Sequence, residues 1–542
     1  MRNWVSAGAL AVGLCMAVPA SAGDKQDFEA CDGRIHPGKQ DDGMRGEPSR
    51  PSYMRSLLRS TNSIAACDRA LASARLLPTQ TVRRAHLLRA RAAAHLQAGD
   101  TAKAFADLDL AQAAARDRAG DRFYQRSMGA SFDLLRAIAH AQAGDTARAT
   151  SFAQAAMLKR PYSGQVQQLG AEIVHAVGIG TNGARPDWAM AMRLDPAAAA
   201  SVLLREAETG NWAGVLALRP GVTLNWPAKS PGSYALYAPS GDGLGLMSAL
   251  LVSFHTAYAH AATGAPAAAK AEVAEIRSRM EALKTAPTGT AKTAAPNLAT
   301  VLDSAVATKA RQVEARIAVA EGRHGDAIAA MVGASLPKDA ATTELLTALK
   351  ATAPVKEAAL VPDATGFAFD PAKRRTDALK RLAGQALFAP ETPRAVVDYE
   401  RSRPNILGAL VGGALSMGTS LLGGIDRLDG FRSTKNADGT TRVEFVGNTP
   451  SAMLVQEMTL LRAAEVTRTA GKAAFVIVDR KDYSRVTRTT QHGVEISSVP
   501  TGYKTEMTIR FLDAVDQPRA LNALSVIDAL GPLYYEEKRT TS

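Results

Sequence analysis

The side chains able to do chemistry are few in this chain and badly spaced for it. There are nine histidines and three cysteines, but no CxxC pair and no two histidines four residues apart, the spacings that would gather metal ligands on one turn or helix face. Gly471-Lys472 lacks the upstream glycine of a phosphate-cradling loop, and Gly418-Thr419-Ser420 lacks the closing glycine of a nucleophile elbow. Arg462, Glu465, Asp479 and Arg480 come nearest to a polar site; they also suit a helix-surface ion pair and a strand-ending turn. No carboxylate pair or Ser-His-Asp set is recognisable. The sequence therefore assigns no catalytic, cofactor-binding or metal residue and is read as that of a non-enzyme, while a site scattered along the chain stays open.

Two features place the chain in the cell envelope. Arg2, the uncharged apolar run 5–18 and Ala20-Ser21-Ala22 have the layout of a secretory signal, 1–22, with a mature chain expected to start at Gly23. Cys15 lies inside the apolar run without a small residue before it, which argues against a lipid anchor. Cys31 and Cys67 would then be an even pair in an oxidising compartment and are expected to form a disulfide. That bridge would pin an otherwise flexible segment, 23–50, rich in Gly, Pro and charge. Export predicts the periplasm or envelope of a Gram-negative bacterium. The formal charge is +12, and +11 once Arg2 leaves with the signal. Its basic residues alternate with acids, as in Arg311-Gln312-Val313-Glu314-Ala315-Arg316, with no basic block carrying aromatics, so nucleic acid is excluded as a partner.

Positioning falls to helices. Only 5% of residues are aromatic, and alanine supplies much of the hydrophobic 46%, which favours helices packed small on small. Two stretches repeat one plan: an alanine-rich helix, a turn at Gly99-Asp100 or Gly144-Asp145, and a second helix. Gly permits the turn, and Asp or the Thr after it can cap the second helix. This pattern resembles the tetratricopeptide repeat. Ala92 and Ala104, with Ala111, fill the family's small crossing positions in one unit; Ala137, Ala149 and Ala156 do so in the next, which Pro161 closes. The part 64–71 looks like the second helix of an earlier unit. Fainter echoes lie at Gly210-Asn211-Trp212, around Gly264 and around Gly325-Asp326. The two best turns are 45 residues apart, longer than the family's period. The resemblance implies an α-solenoid with a protein-binding groove. On that basis His86, Arg89, Ala93 and Leu96 form one groove stripe, and Ser131, Leu134, Ile138 and Ala141 another, both expected to face solvent. His95 and His140 recur in one register, as rings packed between helices or as a paired site.

Two segments break the helical pattern. The run 219–245 holds four prolines together with Trp226, Tyr234 and Tyr237, and suits equally a binding loop across the array and an insert packing its aromatics on it. The run 406–425 carries no charge and has a Gly408/Gly412 pair. It is long enough to cross a bilayer but rich enough in glycine to make a weak helix, so it suits a buried or peripheral glycine-rich segment, a membrane span or an interdomain linker.

Beyond residue 441 the period changes. Alternation at 442–446, a helix from Thr449-Pro450 to Arg468, strands at 473–478, 483–490 and 503–512, and a helix over 521–530 give the order β-α-β-β-β-α. The run 460–480 resembles a domain of small proteobacterial envelope lipoproteins; the likeness covers 441–532, lacks their lipid-bearing cysteine, and implies envelope location without an activity. The expectation is a mainly α chain: a tetratricopeptide-like α-solenoid followed by a small α/β domain. Its parts are helical repeats at 51–218, the irregular loop 219–245, further hairpins at 246–388, a glycine-rich segment and linker at 389–435, the α/β domain at 436–532 and a tail at 533–542. The leading function is an envelope protein–protein interaction scaffold without cofactor or identified small ligand. The alternatives are a membrane-associated component anchored through 406–425, and a small-ligand carrier or hydrolase using the 219–245 loop or the C-terminal domain.

Overall fold

The computed structural model describes residues 24–39, 42–44, 62–179, 186–228, 241–285, 297–331, 336–368, 370–392, 394–402, 430–447, 451–491 and 494–536. The chain is mainly helical with a small C-terminal antiparallel sheet. It divides into two compact units, Met1–Gly120 and Asp121–Ser542. The signal-like residues 1–22 and the glycine-rich run 406–425 lie outside the described residues.

The first unit contains α1 (Asp24–Asp32), α2 (Asn62–Ala72), α3 (Thr81–Ala98) and α4 (Thr101–Ala114). Helix α3 stops because Gly99 takes φ +88°, a left-handed conformation open to glycine. Asp100 then starts α4 by accepting the Lys103 N–H at 3.2 Å. Ala92, Ala104 and Ala111 are fully buried where the helices meet. Arg91 clasps Asp107 with two hydrogen bonds, of 2.8 and 2.6 Å, and His95 lies 3.8 Å from the same carboxylate. A disulfide joins Cys31 to Cys67, with Cα atoms 4.7 Å apart. Part of the segment expected to be flexible is held: 24–32 is helical, and buried Arg83 donates to Asp32, Ile35 O and Gly43 O, each at 3.1 Å.

The second unit opens with a near copy of that hairpin, α5 (Ala130–Gln142) and α6 (Thr146–Lys159). Gly144 has φ +82° and Asp145 caps the Arg148 N–H at 3.0 Å. Here the recurring histidine is a packing ring: His140 stacks on Phe152 with centroids 5.3 Å apart. Next come α7 (Gly164–Gly178), α8 (Ala189–Leu194), α9 (Ala198–Glu208) and α10 (Trp212–Leu218). Four longer helices and a short one then share a core around Leu203, Tyr258, Ile276, Val313 and Leu345: α11 (Gly241–Ala262), α12 (Pro266–Thr285), α13 (Asp303–Ala320), α14 (His324–Met331) and α15 (Ala340–Thr352). The turn expected at Gly325 is made by Gly322, with φ +75°, and Gly325 lies inside α14. Helix α16 (Pro371–Gln385) buries Leu379, Leu382 and Ala383, an i, i+3, i+4 stripe, against α5 and α7.

The C-terminal part has more strands than its alternation suggested. β1 (Gly430–Lys435) falls in what was expected to be linker and pairs with β2 (Thr441–Gly447). After α18 (Ala452–Thr469; α17 is Arg394–Ser402), the two strands expected at 473–478 and 483–490 are one long strand, β3 (Ala474–Gln491). A register shift between Ile477 and Asp479 carries it through the polar interruption. β3 pairs with β4 (Val494–Leu512), and β5 (Leu521–Asn522) precedes α19 (Ala523–Tyr534). The sheet is antiparallel in the order β1-β2-β4-β3-β5, with α18 packed on it and α19 against α18. Its core includes Phe123, Leu194, Ala395 and Tyr399, so packing does not divide at the expected boundary near 436.

Candidate functional site

The most built site of the second unit lies where α5 begins. Asp121 accepts the Phe123 N–H at 2.8 Å and opens a helical turn, but 125–129 coil as a π-turn before the α-helix settles. Such turns widen the backbone ladder and re-aim side chains. This one carries Arg126 and Ser127, both buried. One turn on, Ser131 is fully buried as well.

Against this face runs the non-helical stretch after α16, Ala386 to Thr392, in the sequence A-L-F-A-P-E-T. Ser131 Oγ donates to Ala386 O and accepts the Phe388 N–H at 3.4 Å. Ser127 Oγ accepts the Glu391 N–H at 3.0 Å while donating to Phe123 O at 2.6 Å. Two serines a helical turn apart thus hold a passing chain by its backbone. Phe388 and Glu391 are its large buried side chains, and Ala386 is buried as well.

Glu391 enters a cluster closed to water. Arg160, the residue just after α6, lies 2.7 Å from Glu391 Oε1, and Arg126 Nε lies 3.5 Å from Oε2. The same two arginines bind Glu457 of α18: Arg160 donates at 2.7 and 3.1 Å, Arg126 makes a close contact, and the Tyr534 hydroxyl donates at 2.7 Å. Burial alone would raise both carboxyls. For Glu457 the two guanidiniums and these hydrogen bonds outweigh burial and hold its pKa down. For Glu391 burial prevails over the two arginines and the pKa is raised. The cluster thus sets two arginines against two carboxyl groups.

Beside α16 a cleft of about 370 Å³ opens against α7 and α9, with Glu172, His175, Arg205, Glu208, Lys373 and Arg374 among its lining. Glu208 binds Arg205 at 3.0 Å and Arg374 at 2.5 Å, so these charges are largely satisfied by one another. Burial, aided by Arg205, pushes the His175 imidazole down to about 4 and leaves it neutral.

The structure corrects the open groove. Ser131, Leu134, Ile138 and Ala141 are all buried, as are His86, Arg89, Ala93 and Leu96. For the α5 stripe the physical reason is the chain itself: α16 packs on α5, and its continuation bonds to Ser131. In the first unit His86 Nδ1 lies 2.7 Å from the Arg89 guanidinium and its other nitrogen 3.8 Å from Asp32, so that stripe faces α1. Trp226 is half-buried against the helical core with Arg279 5.4 Å from its ring, while Tyr234 and Tyr237 lie outside the described residues. Arg462, Glu465, Asp479 and Arg480 do not make one site. Glu465 pairs with Arg462 at 2.8 Å and accepts from Tyr399 and Tyr535 at 2.9 and 2.8 Å, whereas Arg480 reaches Leu194 O at 3.1 Å. The sequence reading missed Arg126, Arg160, Glu391 and Glu457; nothing in their spacing relates them.

The flanks of 406–425 are described. Tyr399 of α17 and Phe431 of β1 meet edge-on with centroids 5.0 Å apart. Among the described residues no helix is long and apolar enough to cross a membrane, and no three His, Cys, Asp or Glu side chains gather as metal ligands. No family model matches the chain, and no curated protein or solved structure matches it either.

Proposed function

We propose that this chain is an exported interaction scaffold of the bacterial envelope, built from tetratricopeptide-like hairpins that bind segments of other proteins. The observation that carries the reading is the α5 face, where Ser127 and Ser131 hold a passing chain by its backbone. Main-chain capture with a few buried side chains is how helical arrays and other peptide receptors combine affinity with selectivity. The balanced, self-paired charges of the neighbouring cleft suit a protein surface better than a small charged substrate. The export part of the reading is supported by the leader pattern and by the paired cysteines.

A photo-crosslinking residue placed at exposed Lys373, beside the cleft, tests the reading in cells. The scaffold predicts one or two discrete adducts with envelope proteins, and none from the same residue at exposed Val515 on the sheet's far loop. Absence of adducts at Lys373, or a full-length chain retained in the cytoplasm with Met1 attached, would overturn it.

A further inference from the structure

We infer that the start of α5 is a receptor for an extended peptide bearing an aromatic residue and, three positions later, a glutamate, and that Phe388 to Glu391 occupies it in cis. This rests on the scaffold reading and names the chemistry of its partner.

The features of the bound stretch are those of a linear motif. Its backbone is held at Ala386 O and at the Phe388 and Glu391 N–H groups by side chains of the receptor helix, with no strand pairing. Three residues are buried, Ala386, Phe388 and Glu391, the last two with large side chains, while Leu387, Ala389 and Pro390 are half-buried and Thr392 is exposed. Pro390 and Pro393 bias the residues before them to extended backbone, so little entropy is lost on docking.

The receptor side is distinct from ordinary helix packing. Its π-turn coincides with Arg126 and Ser127. Its two arginines are already anchored by Glu457, which accepts three of their and Tyr534's directed bonds besides the Arg126 contact. The guanidiniums are thus oriented by Glu457, and Glu391 lies 2.7 Å from Arg160 and 3.5 Å from Arg126. A cationic end pre-organised in this way can take the carboxylate of another chain in place of Glu391. The cis segment has an effective concentration on the order of millimolar. A short peptide making the same contacts therefore competes poorly, and a natural partner must add contacts, for which the cleft beside α16 offers Arg381 and Leu382 near that helix's end.

The test uses the full mature chain carrying Phe388→Ala and Glu391→Gln, which removes the aromatic ring and the carboxylate charge, and a fluorescent heptapeptide of residues 387–393 read by anisotropy. The expected result is binding at least tenfold tighter to the variant than to the unaltered chain, and a tenfold loss when the peptide's glutamate is replaced by glutamine. Equal affinity for both chains, no binding to a variant whose circular dichroism matches the parent, or indifference to the peptide's carboxylate overturns the inference. If the double variant does not fold, Glu391→Gln alone serves, with the peptide's rise in melting temperature as the readout and no rise counting against it. A dimer of the variant that the peptide dissolves would make a second copy the occupant and overturn the heterologous one. Envelope adducts at Lys373 that the peptide leaves undiminished would sink the inference while sparing the scaffold; peptide binding without adducts would do the reverse.

Discussion

The hairpins 81–114 and 130–159 share a turn code and differ in what their inner faces meet. Each turns at a glycine with positive φ followed by an aspartate cap, and each crosses on fully buried alanines. In the first, Arg91 and Asp107 tie one helix to the other. In the second, the arginine that matters, Arg160, points away from its own hairpin to carboxylates 231 and 297 residues further on. Local code builds the hairpin; the distant chain decides whether its face is a ligand site, a core or open surface.

The largest test of that difference is at the arginines. Arg160→Met should cost about 3–5 kcal/mol, because two buried carboxylates are left to Arg126 alone. Arg91→Met removes a partly exposed clasp and should cost about 1.5–3 kcal/mol. Urea unfolding of each variant compares them, and equal losses would erase the contrast.

Acid should act on the second unit through His175 and His255, both pushed down to about 4 mainly by burial. A folded pKa below the ordinary 6.5 means stability is fully present above pH 6.5 and is lost as the pH falls toward 4. The gap corresponds to about 3 kcal/mol for each histidine. Glu457, also held down, adds a loss only below its ordinary pKa near 4.5. Raised Glu391 has the opposite sign: its contribution is greatest at low pH and fades as the pH rises through its folded pKa. Hydrogen exchange followed by mass spectrometry at pH 7 and 5 should show 164–178 and 241–262 opening first.

Reduction should strike the other unit. The Cys31–Cys67 bridge spans a sequence separation of 36 residues, worth about 2–4 kcal/mol if the chain-entropy account holds. The same exchange experiment with a reductant should loosen 24–32 and 62–72 and leave 130–159 unchanged.

The smallest effect should be shared. A Cβ at Gly99 or Gly144 would meet nothing within 4 Å, so only the left-handed backbone resists it. Gly99→Ala and Gly144→Ala should each cost about 1–2 kcal/mol. A large inequality in melting temperature between them would show that the two turns are not equivalent.

By itself the sequence determined what short-range chemistry determines. Helix ends followed from Gly99, Asp100, Gly144 and Asp145, because caps and left-handed turns involve neighbours only. The alanines at Ala92 and Ala137 were legible through the resemblance to the tetratricopeptide repeat, which implies small residues where its helices cross, and both are buried. Strand β1 was not legible, since Gly-Phe-Arg-Ser-Thr-Lys has too short an alternation to declare itself before it pairs with β2. The split of β3 into two expected strands had a similar cause: a polar run hides continuity that only the β4 ladder supplies. Tertiary structure alone decided the candidate site. Burial depends on what lies on the other side of a helix, and 3.6-residue periodicity says which residues share a face without saying what covers it. Ser131 and Leu134 looked like an open groove, and became a buried one because α16 and its tail lie on them. Arg126, Arg160, Glu391 and Glu457 carry no mutual signal in sequence, because a charge cluster is assembled by the path of the chain through space.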